Sequence, residues 1–317
     1  MRTLILAERP FRDLRSRALL ADLPRLLAGG LGGDAPLLLA TSAPVAPPGF
    51  EVVAPDANPV ALGIGRVVLT GAFQERPALE QALALAARAV AAGASFEVLR
   101  FGVERGAARR DPPAGVAVLE AARPLDLRDH HTANALLVWR VARMFRIDPY
   151  PERLGPPDPA LLPLLPGGKL LGLSILGGPR MRAAWTARRE ELCAVLAPMQ
   201  GWPVLPLPME PVEGAMDDFA GSRAFLEDLL PGATLLLPEL SDSAWRRRQM
   251  TPARMKSLVA RCGVLITNQD LPAAYAVACR VPVIGLVLGT DRRAVNVLTQ
   301  FANELPPGSV LLHKPAG

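Results

Sequence analysis

The sequence predicts an α/β chain of two doubly wound domains, and three observations predict it. Short apolar runs rich in Val, Leu and Ile alternate with Ala/Leu helices through both halves, and a proline-dense stretch lies between the halves. The 317 residues, 50% of them hydrophobic, are enough for two cores. Single helices between strands imply parallel sheets, because a crossover helix returns the chain to run in the same direction.

In the first half the pattern predicts strands at Thr3–Glu8, Pro36–Ala40, Phe50–Ala54, Arg66–Gly71, Phe96–Gly102 and Val116–Ala121, with helices near Leu14–Ala28, Ala78–Ala92 and Asp129–Phe145. Residues 1–147 therefore form the N-terminal domain. Residues 148–168 hold seven prolines; proline removes backbone donors and fixes φ, so this segment reads as a linker. The alternation restarts in a C-terminal domain, 169–317, with strands at Lys169–Ile175, Pro203–Leu207, Thr234–Leu237 and Val310–Leu312. Its helices fall near Ala187–Leu196, Met216–Leu230, Thr251–Arg261 and Arg293–Leu305. Thr251-Pro252 supplies an N-cap and a first-turn proline, and Gly93 and Gly201 stand where helices should stop. Gly29-Gly-Leu-Gly-Gly33 follows a helix rather than linking a strand to one, so it reads as a loop and not as a dinucleotide fingerprint.

The segment from Val264 to Asp291 is the most informative: an apolar strand ends in Thr267-Asn-Gln-Asp270, an Ala-rich helix follows, and a second apolar strand ends in Gly289-Thr-Asp291. Ligands of open parallel sheets bind outside the carboxyl ends of strands, so both polar ends are candidate contacts. Two such domains on one linker would turn their strand ends toward each other across an inter-domain cleft.

Composition narrows the function. No uncharged apolar run approaches the ~20 residues of a membrane span. The N-terminus reads as a first strand broken by charge, not as a secretory signal, so a cytoplasmic location is expected, with the inner membrane face as a peripheral alternative. Aromatic residues are 5% and do not alternate with basic ones, which argues against nucleic acid despite the net charge of +5. Cys193, Cys262 and Cys279 sit in apolar segments without paired spacing, so neither a disulfide framework nor a metal site is expected.

The chain resembles the polysaccharide pyruvyl transferase family in Arg128-Asp129-His-His-Thr132, Pro157-Asp-Pro-Ala160, Leu171-Gly-Leu-Ser-Ile175, Val204-Leu-Pro-Leu207 and the long stretch Val264–Arg293. The resemblance implies a GT-B-like build of two Rossmann-like domains. It also implies transfer of a pyruvyl group from phosphoenolpyruvate, as a ketal, to a sugar of a polysaccharide precursor, free or lipid-linked, with no cofactor. Where that family has Arg-Leu-His, this chain has Gln269-Asp270-Leu271. The C-terminal unit is also similar to heptosyltransferase-type glycosyltransferases in Leu265-Ile-Thr-Asn268 and Val281-Pro-Val-Ile284. A nucleotide-sugar-dependent GT-B glycosyltransferase, and a non-catalytic member that binds glycan or a partner protein, are therefore the alternatives.

Either donor is anionic and needs cations and helix N-termini to hold it. Gly177-Gly-Pro-Arg180-Met-Arg182 follows the first strand of the second domain, and with Gln269, Asp270, Asp291 and Arg292 makes the expected donor site. Each feature has a plainer reading: a surface turn for the arginines and helix caps for Asp270 and Asp291. Ketal formation needs an acid and a base, so His130 and His131, at a helix start, with Arg128 beside them, are the catalytic candidates. A polar first turn, and an ion pair or N-cap for Arg128-Asp129, would equally explain them. His313 reads as a tail residue, Glu210, Glu213, Asp217 and Asp218 as a solvated acidic loop or a sugar-orienting one, and Trp245-Arg-Arg-Arg248 as an exposed charge run.

Overall fold

Val67-Val68-Leu69 and Leu37-Leu38-Leu39 are apolar at consecutive positions, which suits strands covered on both faces rather than one. All six lie within parallel strands and are buried. The computed structural model describes residues 2–8, 23, 37–40, 50–54, 56–104, 106–147, 155–209, 218–288 and 293–312. Two units divide the chain, one holding the described residues up to Ile147 and the other those from Gly155.

The first unit contains β1 (Arg2–Leu6), β2 (Leu37–Ala40), β3 (Phe50–Val53), β4 (Ile64–Phe73), α1 (Arg76–Ala91), β5 (Ser95–Val103), β6 (Leu125–Leu127), α2 (His130–Val138) and β7 (Arg146–Ile147). Its seven parallel strands run in the order β3-β2-β1-β4-β5-β6-β7, so the winding reverses between β1 and β4. The helical spacing of Leu79, Leu83, Ala86 and Ala89 places one face of α1 in the core with Leu4, Leu69, Phe73 and Phe101. Each such buried Leu or Phe contributes roughly 1.5–3 kcal/mol relative to exposure.

The second unit contains β8 (Leu171–Ser174), α3 (Pro179–Thr186), α4 (Arg189–Leu196), β9 (Val204–Pro206), α5 (Asp218–Leu229), α6 (Ser243–Gln249), α7 (Pro252–Arg261), β10 (Val264–Thr267), α8 (Asp270–Ala278), β11 (Val283–Leu286), α9 (Arg293–Gln300) and β12 (Val310–Leu312). The strand order is β12-β11-β10-β8-β9, again parallel, with Leu235 bridged to Val204 beyond β9. The winding reverses between β8 and β10, where Ser174 lies beside Thr267. Trp185 and Phe225 meet edge to face at 5.5 Å between ring centroids, in the core formed by α3, α5 and the sheet. Thr251 caps α7 as its sequence indicates, accepting from the Arg254 N–H at 3.1 Å.

Several expectations are corrected. Val116–Ala121 is a 3-10 helix, entered through Gly115 in the left-handed region and burying Leu119 fully, not a strand. Thr234–Leu237 supplies a single bridge before Leu237 turns into positive φ, so no strand extends there. The helix predicted to reach Phe145 stops at Val138, where Arg140 N–H bonds Leu137 O and Val141 N–H bonds Leu136 O in a Schellman closure. The helix predicted over Ala187–Leu196 is α4, and α3 precedes it where the sequence pattern indicates no helix. Within the predicted linker, Pro159–Leu164 forms a 3-10 helix whose cap, Asp158, pairs with Arg254 of α7 at 2.9 Å. β6, β7 and α6 were not anticipated. The predicted helix at Leu14–Ala28 and the loop Gly29–Gly33 lie outside the described residues, apart from Leu23.

Candidate functional site

At the reversal of the second sheet the strand ends carry Ser174, Thr267, Asn268 and Gln269, all with 0% exposure. Buried polar groups must find partners, and these find one another. The Thr267 hydroxyl donates to Ser174 O at 2.8 Å and accepts from the Gln269 N–H at 2.9 Å, turning the chain as it leaves β10. Asn268 Oδ1 accepts from Leu176 N–H at 2.9 Å, and the Ser222 hydroxyl of α5 accepts from Ile175 N–H at 3.1 Å. Gln269 Nε2 donates to Ser174 Oγ at 3.0 Å and to Asp218 Oδ2 at 3.1 Å. Asp218, at the first position of α5, also accepts from the Met209 N–H just beyond β9. One buried network therefore joins the ends of β8, β9 and β10 to the start of α5.

This close approach depends on Gly221, where a Cβ would fall 2.4 Å from both Gly177 N and Ile175 O. The loop leaving β8 is thus pinned backbone to backbone against α5. It then reaches Gly178, whose φ of 111° and ψ of 161° favour glycine, and enters α3 through Pro179. Arg180 stands exposed in the first turn of α3. Arg182 instead forms a forked pair with Asp228 of α5, at 3.0 and 2.7 Å, and Trp185 Nε1 adds a third bond to that carboxylate at 2.9 Å. The Arg182 hydrogen bond, foremost, holds the Asp228 carboxyl below the usual aspartate value.

Asp270 is the first residue of α8, with Gln269 at the N-cap, so it lies inside the helix and not in the capping position expected of it. Its Oδ1 accepts from the Leu271 N–H at 3.0 Å. Asp291 and Arg292, with Glu210, Glu213, Asp217 and His313, lie outside the described residues.

In the first unit, Arg128 follows β6, two strands beyond the reversal. Its Nε pairs with Asp129 at 2.8 Å and its Nη2 with Glu104 at 2.7 Å, Glu104 being the residue after β5. Asp129 caps α2: its Oδ1 accepts from the Thr132 N–H and from the Thr132 hydroxyl, both at 2.8 Å. Burial pushes this carboxyl up, but the Arg128 charge and the Thr132 bonds outweigh burial and leave it below the usual value. His130 and His131 occupy the first two positions of α2 and are exposed.

The Glu8 side chain, just past β1, is a feature the sequence reading missed. It accepts the backbone N–H groups of Gln74 and, at 3.2 Å, Glu75, filling the start of α1 at the reversal of the first sheet with a carboxylate. Arg246, in the run expected to be exposed, is instead 4% exposed, donates to Leu240 O at 2.8 Å and lies 5.9 Å from the Phe219 ring. The other polar group missed, Ser174, carries a signal only in hindsight, as the single hydroxyl ending an apolar strand.

A cavity of about 340 Å³ is lined by Phe219, Leu226, Leu235 and Pro238 together with Arg223 and Glu227, and by none of the sequence-predicted residues. Among the described residues no cluster of three or more His, Cys, Asp or Glu could hold a metal, and no helix is long and apolar enough to cross a membrane.

No protein-family model and no curated protein matches the sequence. Solved structures do share its fold. The UDP-GlcNAc 2-epimerase of Methanocaldococcus jannaschii aligns over 98% of this chain and 89% of its own with a TM-score of 0.58 at 11% identity. The S. aureus MnaA-UDP co-structure aligns over 96% and 88% with a TM-score of 0.50 at 10% identity. E. coli ADP-heptose lps heptosyltransferase II aligns over 100% and 92%, at a TM-score of 0.47 and 15% identity. The chain thus has an α/β fold of two parallel sheets, and its structural neighbours are GT-B-like.

Proposed function

We propose that this chain is a nucleotide-sugar-dependent transferase of GT-B-like architecture, with residues 169–317 as the donor side and 1–147 as the acceptor side. The observation that carries the reading is the reversal point of the second sheet, where the ends of β8, β9 and β10 converge on buried Ser174, Asp218 and Gln269. Strand ends at a winding reversal are where doubly wound sheets take their ligands. The fold likeness supports a nucleotide-sugar ligand, since the M. jannaschii protein is a UDP-GlcNAc 2-epimerase and the S. aureus structure holds UDP. Gly178 and the start of α3, with exposed Arg180, offer backbone donors and a cation to a diphosphate. Behind them the Ser174 hydroxyl and the Gln269 amide are buried and bonded to each other, so they hold the strand ends in place.

Pyruvyl transfer from phosphoenolpyruvate is the reading that the family resemblance favours, but the second sheet argues against it. At the position of the family's arginine, Gln269 is neutral, buried and hydrogen-bonded to a carboxylate. A trianion brought to that point would meet a carboxylate, and Gln269 adds no charge where the family has an arginine. Titration calorimetry with UDP-GlcNAc, UDP and phosphoenolpyruvate tests the assignment. Saturable heat with the uridine ligands and none with phosphoenolpyruvate is expected; saturable heat with phosphoenolpyruvate alone would restore pyruvyl transfer. Binding of neither donor would leave the non-catalytic glycan- or protein-binding role.

A further inference from the structure

Residues 130–147 contain no Asp or Glu, while arginines stand at 140, 143 and 146. Leu137, Val138 and Met144 in the same stretch are 62%, 56% and 93% exposed, half of the large exposed hydrophobic residues identified in the described chain. The backbone explains how they reach the surface. α2 ends at Val138, Arg140 takes φ of 59° to close the helix, and the chain then runs out toward β7. Along this run Val141, Phe145 and Ile147 pack on the core, Arg143 between them is half-buried, and Ala142, Met144 and Arg146 are exposed.

The charges facing this surface are few. Asp126 pairs with Arg146 at 2.7 Å, and Glu120 accepts from the Ala142 N–H at 3.1 Å. Among the described residues neither Arg140 nor Arg143 has an ion-pair partner. Exposed leucine, valine and methionine beside unneutralised arginines combine apolar groups that insert with cations that attract anionic headgroups. A protein partner complementary to this surface would need both an apolar face and acidic groups; an anionic bilayer supplies both along any approach.

We propose that the Leu137–Arg146 surface at the end of α2 is a peripheral docking site for an anionic lipid bilayer. The apolar side chains enter the interface, and Arg140 and Arg143 contact lipid phosphate. The inference stands apart from the donor chemistry, because it uses none of the strand-end residues.

Flotation of the full chain with vesicles of phosphatidylcholine alone, or of phosphatidylcholine with phosphatidylglycerol, tests it. The wild type is expected to float with the anionic vesicles at low ionic strength and not with the zwitterionic ones. Arg140→Gln and Arg143→Gln should each lower the partition coefficient about fivefold. Leu137→Ser with Met144→Ser should remove the part of binding that resists salt. All four positions are wholly or partly exposed, so circular dichroism should find these variants folded. Failure of the wild type to float, equal flotation with both vesicle types, or variants that float like the wild type would each overturn the proposal. So would a concentration-dependent dimer in light scattering that Leu137→Ser dissociates, since a second copy would then cover the surface.

Discussion

Gln269 Nε2 lies 3.1 Å from Asp218 Oδ2, a contact between the N-cap of α8 and the first residue of α5 across 51 positions of chain. Both side chains have 0% exposure, so the bond forms where water cannot replace it. Gln269→Leu should cost about 1–3 kcal/mol in urea unfolding, because Asp218 and the Ser174 hydroxyl each lose a neighbouring donor. Gln269→Glu should cost more at neutral pH, since it places a second carboxylate at hydrogen-bond distance from the first. Equal midpoints for the two variants would show that the network tolerates charge.

Arg180 and Arg182 lie two residues apart on α3 and should behave oppositely. Arg182→Ala breaks the fork to Asp228 and leaves the Trp185 bond to that carboxylate, so the thermal midpoint should fall. Arg180 is exposed, so Arg180→Ala should leave stability within about 0.5 kcal/mol and instead weaken calorimetric affinity for a nucleotide diphosphate. Unchanged affinity would remove Arg180 from the donor site.

Asp129 should also set part of the acid limit of the fold. Its folded value is depressed, so its contribution is present above the unfolded aspartate value near 3.9 and is lost as pH falls through the folded value. Asp228 acts in the same direction. Asp129→Ala should cost about 1 kcal/mol at pH 7 by uncapping α2. The deficit should begin to shrink as pH falls below about 3.9, where the unfolded carboxyl takes up a proton that the folded one resists, and should close only once the folded carboxyl is protonated too. Urea midpoints at pH 7 and pH 3 measure this, and a deficit that stays constant with pH would show that the cap works without its charge.

The alternation of strands and helices was legible because apolar runs and Thr251-Pro252 are local signals, and β8 through β11 fall within a few residues of expectation. Elements fixed by pairing alone were not. Leu125–Leu127 and Arg146–Ile147 are too short to show a period, and they are strands because β5 and then β6 offer a free edge. The run Val116–Ala121 has strand composition, yet it packs against α1 as a 3-10 turn once Gly115 adopts positive φ. At the site, sequence located the strand ends but not their partners. Nothing local to Gln269 indicates that Asp218 will face it, or that Asp228 will engage Arg182 while Arg180 stays exposed. Such pairings are set by how α5 crosses β8, which rests on Gly221.

Arg280 repeats in the second unit the closure that Arg140 makes in the first. It takes φ of 56°, its N–H bonds Val277 O at 3.1 Å, and the Val281 N–H bonds Ala276 O at 2.9 Å, which is the Schellman pattern with arginine in the position usually held by glycine. The left-handed conformation costs a residue with a Cβ about 1–2 kcal/mol, while glycine forfeits roughly 0.5–1 kcal/mol of unfolded-chain entropy. Arg280 is exposed and lies outside the proposed sites, so Arg280→Gly should raise stability by about 0.5–1 kcal/mol. Arg280→Ala keeps the Cβ and should give no such gain. Denaturant midpoints of the two variants separate backbone strain from side-chain effects: a gain for glycine alone assigns the cost to φ, and equal gains would assign it to the arginine side chain.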